Sequence, residues 1–155
     1  MTDLSTTYMG VKLASPIIVG ACGLTSNVDA IRQMAEMGAG AIVTKSLFEE
    51  QIQREQFTFE EDLHKHDGRH PEMITVAPNI AYQGPREHLM WVRETKKAVN
   101  IPVFASLNAV NRNTWVEYAR RLAGTGVDGL ECNFFAAPRS PRRPGSEIER
   151  EQVEW

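Results

Sequence analysis

The sequence predicts an α/β fold, the first half of a (β/α)8 TIM-type barrel with about four βα units. Short apolar runs alternate with helical patterns along the chain, the signature of βαβ units around a parallel sheet. Each run closes on a polar or reactive residue, as strands do where they open onto a site. The chain has 155 residues, whereas closed barrels of this class typically need about 250. The expectation is therefore a single incomplete barrel domain over residues 1–155.

The first run is Ile17-Ile18-Val19-Gly20-Ala21, and its unbroken apolarity predicts a strand buried on both faces. It closes on Cys22-Gly23-Leu24-Thr25. Ser26 and Asp29 then form an S-x-x-D capping box, with Val28, Ile31 and Ala35 at helical spacing and Gly38 as the stop. The second run, Ala41-Ile42-Val43-Thr44, closes on Lys45-Ser46. The stretch from about Leu47 to Gly84 reads as a long, charge-rich connection, unusual for a barrel. Pro85 suits a first helical turn and predicts a helix to Val99. The third strand is Val103-Phe104-Ala105-Ser106-Leu107, ending on Asn108. A capping box at Thr114 and Glu117 predicts a helix through Leu122, ended by Gly124 and Gly126. The fourth strand is Gly129-Leu130-Glu131-Cys132, ending on Asn133. A Pro- and Arg-rich loop from Ala136 to Gly145 then leads to a third box, Ser146 and Glu149, and a short last helix.

Composition narrows the function. The net charge of -3, from 17 basic and 20 acidic residues, lacks the strongly basic footprint of a nucleic-acid binder. No apolar run approaches the roughly 20 residues of a membrane span, and no signal-peptide pattern opens the chain. Cys22 and Cys132 make no disulfide framework, which suits a reducing, cytoplasmic compartment. Both are expected to be plain buried thiols. His64, His66 and His70, near Asp67, lack a firm fourth ligand, so an exposed loop is expected there and no metal site. Arg139, Arg142 and Arg143 read as a solvated loop, with an anion clamp as the alternative.

Active sites of such barrels lie at the C-terminal ends of the strands, here at Cys22, Lys45-Ser46, Asn108 and Asn133. Lys45 either meets an anion there or carries its ammonium out to solvent, because burying it unpaired is expensive. Asn108 and Asn133 are either loop-initiating turn residues or paired donors and acceptors for a planar ligand with amide edges.

Several of these segments together carry a family likeness. The opening Leu4-Ser5-Thr6-Thr7-Tyr8-Met9-Gly10-Val11-Lys12-Leu13, the strand with Pro16 and Ile17, and Thr44-Lys45-Ser46-Leu47-Phe48-Glu49-Glu50 resemble dihydroorotate dehydrogenase-like proteins. So do Ala105-Ser106-Leu107-Asn108 and Leu130-Glu131-Cys132-Asn133, and the likeness runs along the whole chain in order. That resemblance implies an FMN-dependent barrel, a flavin oxidoreductase of the CH-CH donor class acting on a pyrimidine-type substrate.

Position by position, Lys45 resembles the catalytic lysine between the flavin's pyrimidine edge and the substrate, where a fixed charge stabilises reduced flavin. Ala21, Cys22 and Ser46 would line the flavin. Asn108 and Asn133 resemble the asparagines that contact the flavin, Asn133 also the substrate, and Asn79 one that holds the pyrimidine. Two departures accompany the likeness. Family enzymes carry a cysteine or serine base after the fourth strand, where this chain reads Phe134-Phe135-Ala136-Ala137-Pro138. Flavin phosphate is gripped by loops after the last two strands of such barrels, beyond the four units read here. The chain alone is thus expected to be a truncated, weak or inactive form. The rival expectation is a non-catalytic half-barrel that self-associates or pairs with a complementary half. A third reading, a Schiff-base lyase built on Lys45, suits the asparagine pair less well.

Overall fold

The computed structural model describes residues 3–54, 84–134 and 143–153. The chain opens with an antiparallel hairpin, β1 (Thr6–Tyr8) and β2 (Val11–Leu13). Its two-residue turn places Met9 at φ 50° and Gly10 at φ 82°, the left-handed pair that a tight hairpin turn demands. This hairpin has no counterpart in the strand pattern read from the sequence. Its strands are short, and the three residues of β1 are all exposed, so no long apolar run marks it.

Next come β3 (Ile18–Val19), a 3-10 turn at Leu24–Ser26, α1 (Val28–Glu36), β4 (Ala41–Val43) and β5 (Leu47–Phe48). Residues 49–54 are helical (α2). After them follow α3 (Pro85–Ala98), β6 (Val103–Asn108), α4 (Arg112–Ala123), β7 (Gly129–Cys132) and α5 (Gly145–Val153). All pairings among β3 to β7 are parallel: β3 with β4, β4 with β6, β5 with β6, and β6 with β7. Four main strands thus lie side by side in chain order with helices between them. That arrangement is compatible with part of a TIM-type barrel.

Five details of the expected pattern are corrected. The first strand covers two residues, both half-buried, and Ile17 is 65% exposed. β3 also lies at the sheet edge among the described residues, pairing only with β4, so its side chains have a neighbouring strand on one side alone. Ser26 does not cap α1, since its hydroxyl donates to the Gly23 carbonyl. Asn27 caps instead, accepting from the N–H groups of Asp29 and Ala30. Thr114 lies inside α4, which Asn111 caps by accepting from Asn113 N. Asparagine fills the same role as serine or threonine at these positions. Ser146 already lies within α5. Finally, the long connection read from about Leu47 opens with regular elements, β5 and α2.

Strand alternation sorts the sheet into two faces. Val103, Ala105 and Leu107 pack toward the helices, in clusters with Ile31, Ile42, Val99, Val92, Trp115 and Leu122. Phe104 points the other way, against Ala41, Val43 and Leu13 of the hairpin. Tyr8 adds an edge-on ring contact at 6.0 Å. The hairpin therefore covers the N-terminal end of the inner face, which leaves the C-terminal end for polar groups. Asp128 ties the strand starts together: its Oδ2 accepts from Val103 N at 2.8 Å and Lys96 Nζ at 2.6 Å.

Gly129 lies opposite Phe104 in register, and a Cβ there would come within 2.6 Å of the ring. Gly129→Ala should cost about 1–3 kcal/mol, the usual range for overpacking. The cost should shrink in a Phe104→Leu background, as measured by denaturant unfolding of the two single variants and the double. Purely additive costs would contradict this contact.

Candidate functional site at the strand ends

The site is built from the chain where the parallel strands end. After β3, Cys22 N donates to Thr25 Oγ1 and that hydroxyl returns a bond to Cys22 O, both at 3.0 Å. This closed turn leaves Ala21 and Cys22 exposed. Backbone N–H groups of Thr25 and Leu24 hold the Cys22 thiol below its ordinary pKa. Thr25 itself is buried, and its carbonyl accepts from Lys45 N at 3.1 Å. The first strand end is thereby tied to the second.

Lys45 and Ser46 sit in a bulge. Ile42 and Val43 pair with Val103 and Phe104, whereas Leu47 and Phe48 pair with Leu107 and Asn108. Three residues, Thr44 to Ser46, therefore face two on β6, Ala105 and Ser106. One extra residue on one strand is a β-bulge, a device that re-aims side chains beside active sites. Ser46 turns onto the inner face, where its Oγ lies 2.8 Å from Ser106 Oγ. Lys45 is left exposed. Its charge reaches buried His88 on α3, whose pKa is lowered to about 4 by desolvation first and by Lys45 second.

On β6 and β7 the inner face is polar. Ser106, fully buried, donates to Glu131 Oε1 at 2.7 Å. Asn133 Nδ2 donates to Ser106 Oγ at 3.1 Å and reaches Glu131 Oε1 at 3.4 Å. Asn108, half-buried, follows two residues after Ser106 on the same face by alternation. Glu49, 5% exposed, fixes the loop beyond it: Oε2 accepts from the N–H groups of Val110 and Asn111. Gln53 donates to its other oxygen. A buried carboxylate needs such donors, and these hold the start of α4 against the strand end.

The structure thus brings Ser46 and Asn133 into one hydrogen-bonded network, with Lys45 and Asn108 at adjoining strand ends and Ala21 and Cys22 tied in through Thr25. Asn79 lies outside the described residues, as do His64, His66, His70, Ala136, Ala137, Arg139 and Arg142. Among the described residues no group of His, Cys, Asp and Glu is placed to hold a metal. The buried-thiol expectation is corrected: both cysteines are solvent-accessible, because each lies at or beyond a strand end. The Cys132 thiol is pushed above its ordinary pKa by desolvation and then by the Glu131 charge, so its thiolate is disfavoured. Sequence reasoning missed Ser106, Glu131 and Glu49 as site-building groups. A usable signal was present at Glu131, a charge set between Leu130 and Cys132 in an apolar run, which must find partners.

No family model matches the chain. Its sequence is 28% identical over 145 residues to the catalytic subunit of dihydroorotate dehydrogenase B (NAD(+)) from Thermoplasma volcanium, covering 86% of this chain and 42% of that protein. It is 26% identical over 151 residues to the NAD-dependent dihydropyrimidine dehydrogenase subunit PreA of Escherichia coli K12, covering 94% of this chain and 35% of PreA. The chain therefore spans less than half the length of these relatives. No described helix is long and apolar enough to cross a membrane. Over most of its length, the chain is similar to dihydroorotate dehydrogenase-like oxidoreductases.

Proposed function

We propose that this chain is part of a dihydroorotate dehydrogenase-like flavin oxidoreductase that binds the ring of FMN and a pyrimidine-type substrate. The observation that carries the reading is the polar network of Ser46, Ser106, Glu131 and Asn133 at the C-terminal ends of parallel strands. A planar ring with amide-like edges matches amide and hydroxyl groups held in fixed directions. Ala21, Cys22, Lys45, Ser46, Asn108 and Asn133 would line the flavin, and Lys45, Asn79 and Asn133 the substrate. FMN, when bound, supplies an acceptor for the two electrons that leave a ring C–C bond. Lys45 contributes a fixed positive charge beside that acceptor.

Residues 1–155 then form one incomplete barrel domain of a cytoplasmic enzyme, a compartment that its free thiols suit. Cys132 makes a poor base, and Ala136 and Ala137 offer no proton acceptor. General base catalysis typically contributes about 10²–10⁴-fold, so weak activity or none is expected of the chain by itself.

FMN titrated into the chain should bind with quenching of its fluorescence. Asn133→Ala should weaken that binding about fivefold, the equivalent of roughly 1 kcal/mol for one hydrogen bond. Lys45→Ala should lower the reduction potential of bound flavin, because the reduced, electron-rich form loses a neighbouring cation. Unchanged affinity and potential in these variants would remove both residues from the site.

The second reading, a half-barrel whose role is to pair, is favoured by the outer edge of β7. That strand pairs only with β6 among the described residues, and an unpaired edge is a template for another strand. Sedimentation of the 155-residue chain should show self-association at micromolar concentration. A monodisperse monomer with a sharp unfolding transition would count against it.

A further inference from the structure

The direction of every proton in the strand-end network follows from one residue. Glu131, when ionised, is an acceptor only. The single hydroxyl proton of Ser106 goes to Glu131 Oε1, 2.7 Å away. The 2.8 Å contact between Ser46 and Ser106 is therefore donated by Ser46. Asn133 Nδ2 supplies the second bond into Ser106 Oγ, and its other hydrogen faces Glu131 Oε1 at 3.4 Å. Turning the Asn133 amide over would set its carbonyl oxygen against a carboxylate oxygen and a serine that has no proton left to give. The amide is thus held one way round. Ser106 is saturated, with one proton given and two received.

What this network leaves for a ligand is a pair of acceptors, the Asn133 carbonyl oxygen and the lone pairs of Ser46. We propose that Glu131, acting through Ser106, is a positioning residue that fixes the polarity of the site. It turns the donors of Ser46 and Asn133 inward, so that the ligand edge meeting these two residues must bring N–H groups, as an imide or cyclic urea edge does. This inference rests on the reading of the strand ends as a ring-binding site and adds to it the hydrogen-bonding character of the ligand. Ser106 and Glu131 need not touch the ligand to impose it.

The test has two arms on the full chain. In the first, NMR measures hydrogen exchange of the Asn133 side-chain amide without ligand. Protection is expected, and Glu131→Gln should speed exchange by about tenfold, the scale of a bond to a charged group. Glutamine offers an N–H₂ that lets the chain of bonds reverse. Ser106→Ala should have the same effect by removing the hub. Backbone exchange at Phe104 and Leu107 should stay slow in both variants, showing an intact sheet. An Asn133 amide that exchanges as freely as that of exposed Asn27, or that ignores both substitutions, overturns the orientation.

In the second arm, 5,6-dihydrouracil is compared with its 1,3-dimethyl derivative, which has no N–H. The wild type should favour the unmethylated ring by at least about tenfold, and Glu131→Gln should shrink that ratio. Equal binding of the two probes overturns the selection while leaving the flavin titration intact. Binding of neither also overturns it, and failure of flavin to bind as well would sink the ring-binding reading itself.

Discussion

Glu131 sets a carboxylate on the inner face of a parallel sheet, and the neighbouring side chains are those that a carboxylate requires. An ionised group without partners would cost several kcal/mol there. Ser106 on the next strand, in register with it, meets that need with a 2.7 Å hydrogen bond, and Asn133 approaches from two residues further on. Ser46 completes the set from the opposite neighbour of β6. Three strands are thus stitched across their C-terminal ends by side chains as well as by their ladders. The apolar half of the same face, around Phe104, Val43 and Leu13, keeps water away from the strand starts. This division makes one end of the sheet structural and the other available to a ligand.

The bulge at Thr44–Ser46 is the backbone counterpart of this arrangement. Without the extra residue, the register set at Ile42 and Val43 would carry on to Leu47 and Phe48 shifted by one, and a one-residue shift moves a side chain to the other face. With it, Leu47 joins the helix-side core at full burial while Ser46 meets Ser106. Lys45 takes the position left over and is exposed. Thr25 and Glu49 perform similar work on the loops, one anchoring Lys45 N and the other the start of α4. Each of these devices fixes a strand end relative to its neighbour, as a site made of several strand ends must.

Much of the fold was legible in the sequence because its signals are long. β4, α3, β6, α4 and β7 each lie where an apolar run or helical period placed them, within two residues except at the start of α4. The missing pieces are short or carried by register. The hairpin strands have three residues each, and β5 has two, too few for a period to show. Asn27 and Asn111 displaced the expected caps because several polar residues compete near each helix start, and only geometry selects one. At the site, the strand-end residues Lys45, Ser46, Asn108 and Asn133 were readable from position alone. The Ser106–Glu131 pair was not, since its meaning depends on cross-strand register between residues 25 apart in sequence.

On the proposed reading, the C-terminal strand ends, and no other surface of the described residues, receive a ring ligand. The most direct measurement is a map of backbone and side-chain NMR shifts during titration with FMN. Shifts should concentrate at Ala21, Cys22, Lys45, Ser46, Asn108 and Asn133, with Glu131 and Ser106 responding behind them. Shifts confined to the outer faces of the helices, or the absence of any at these residues, would contradict the account.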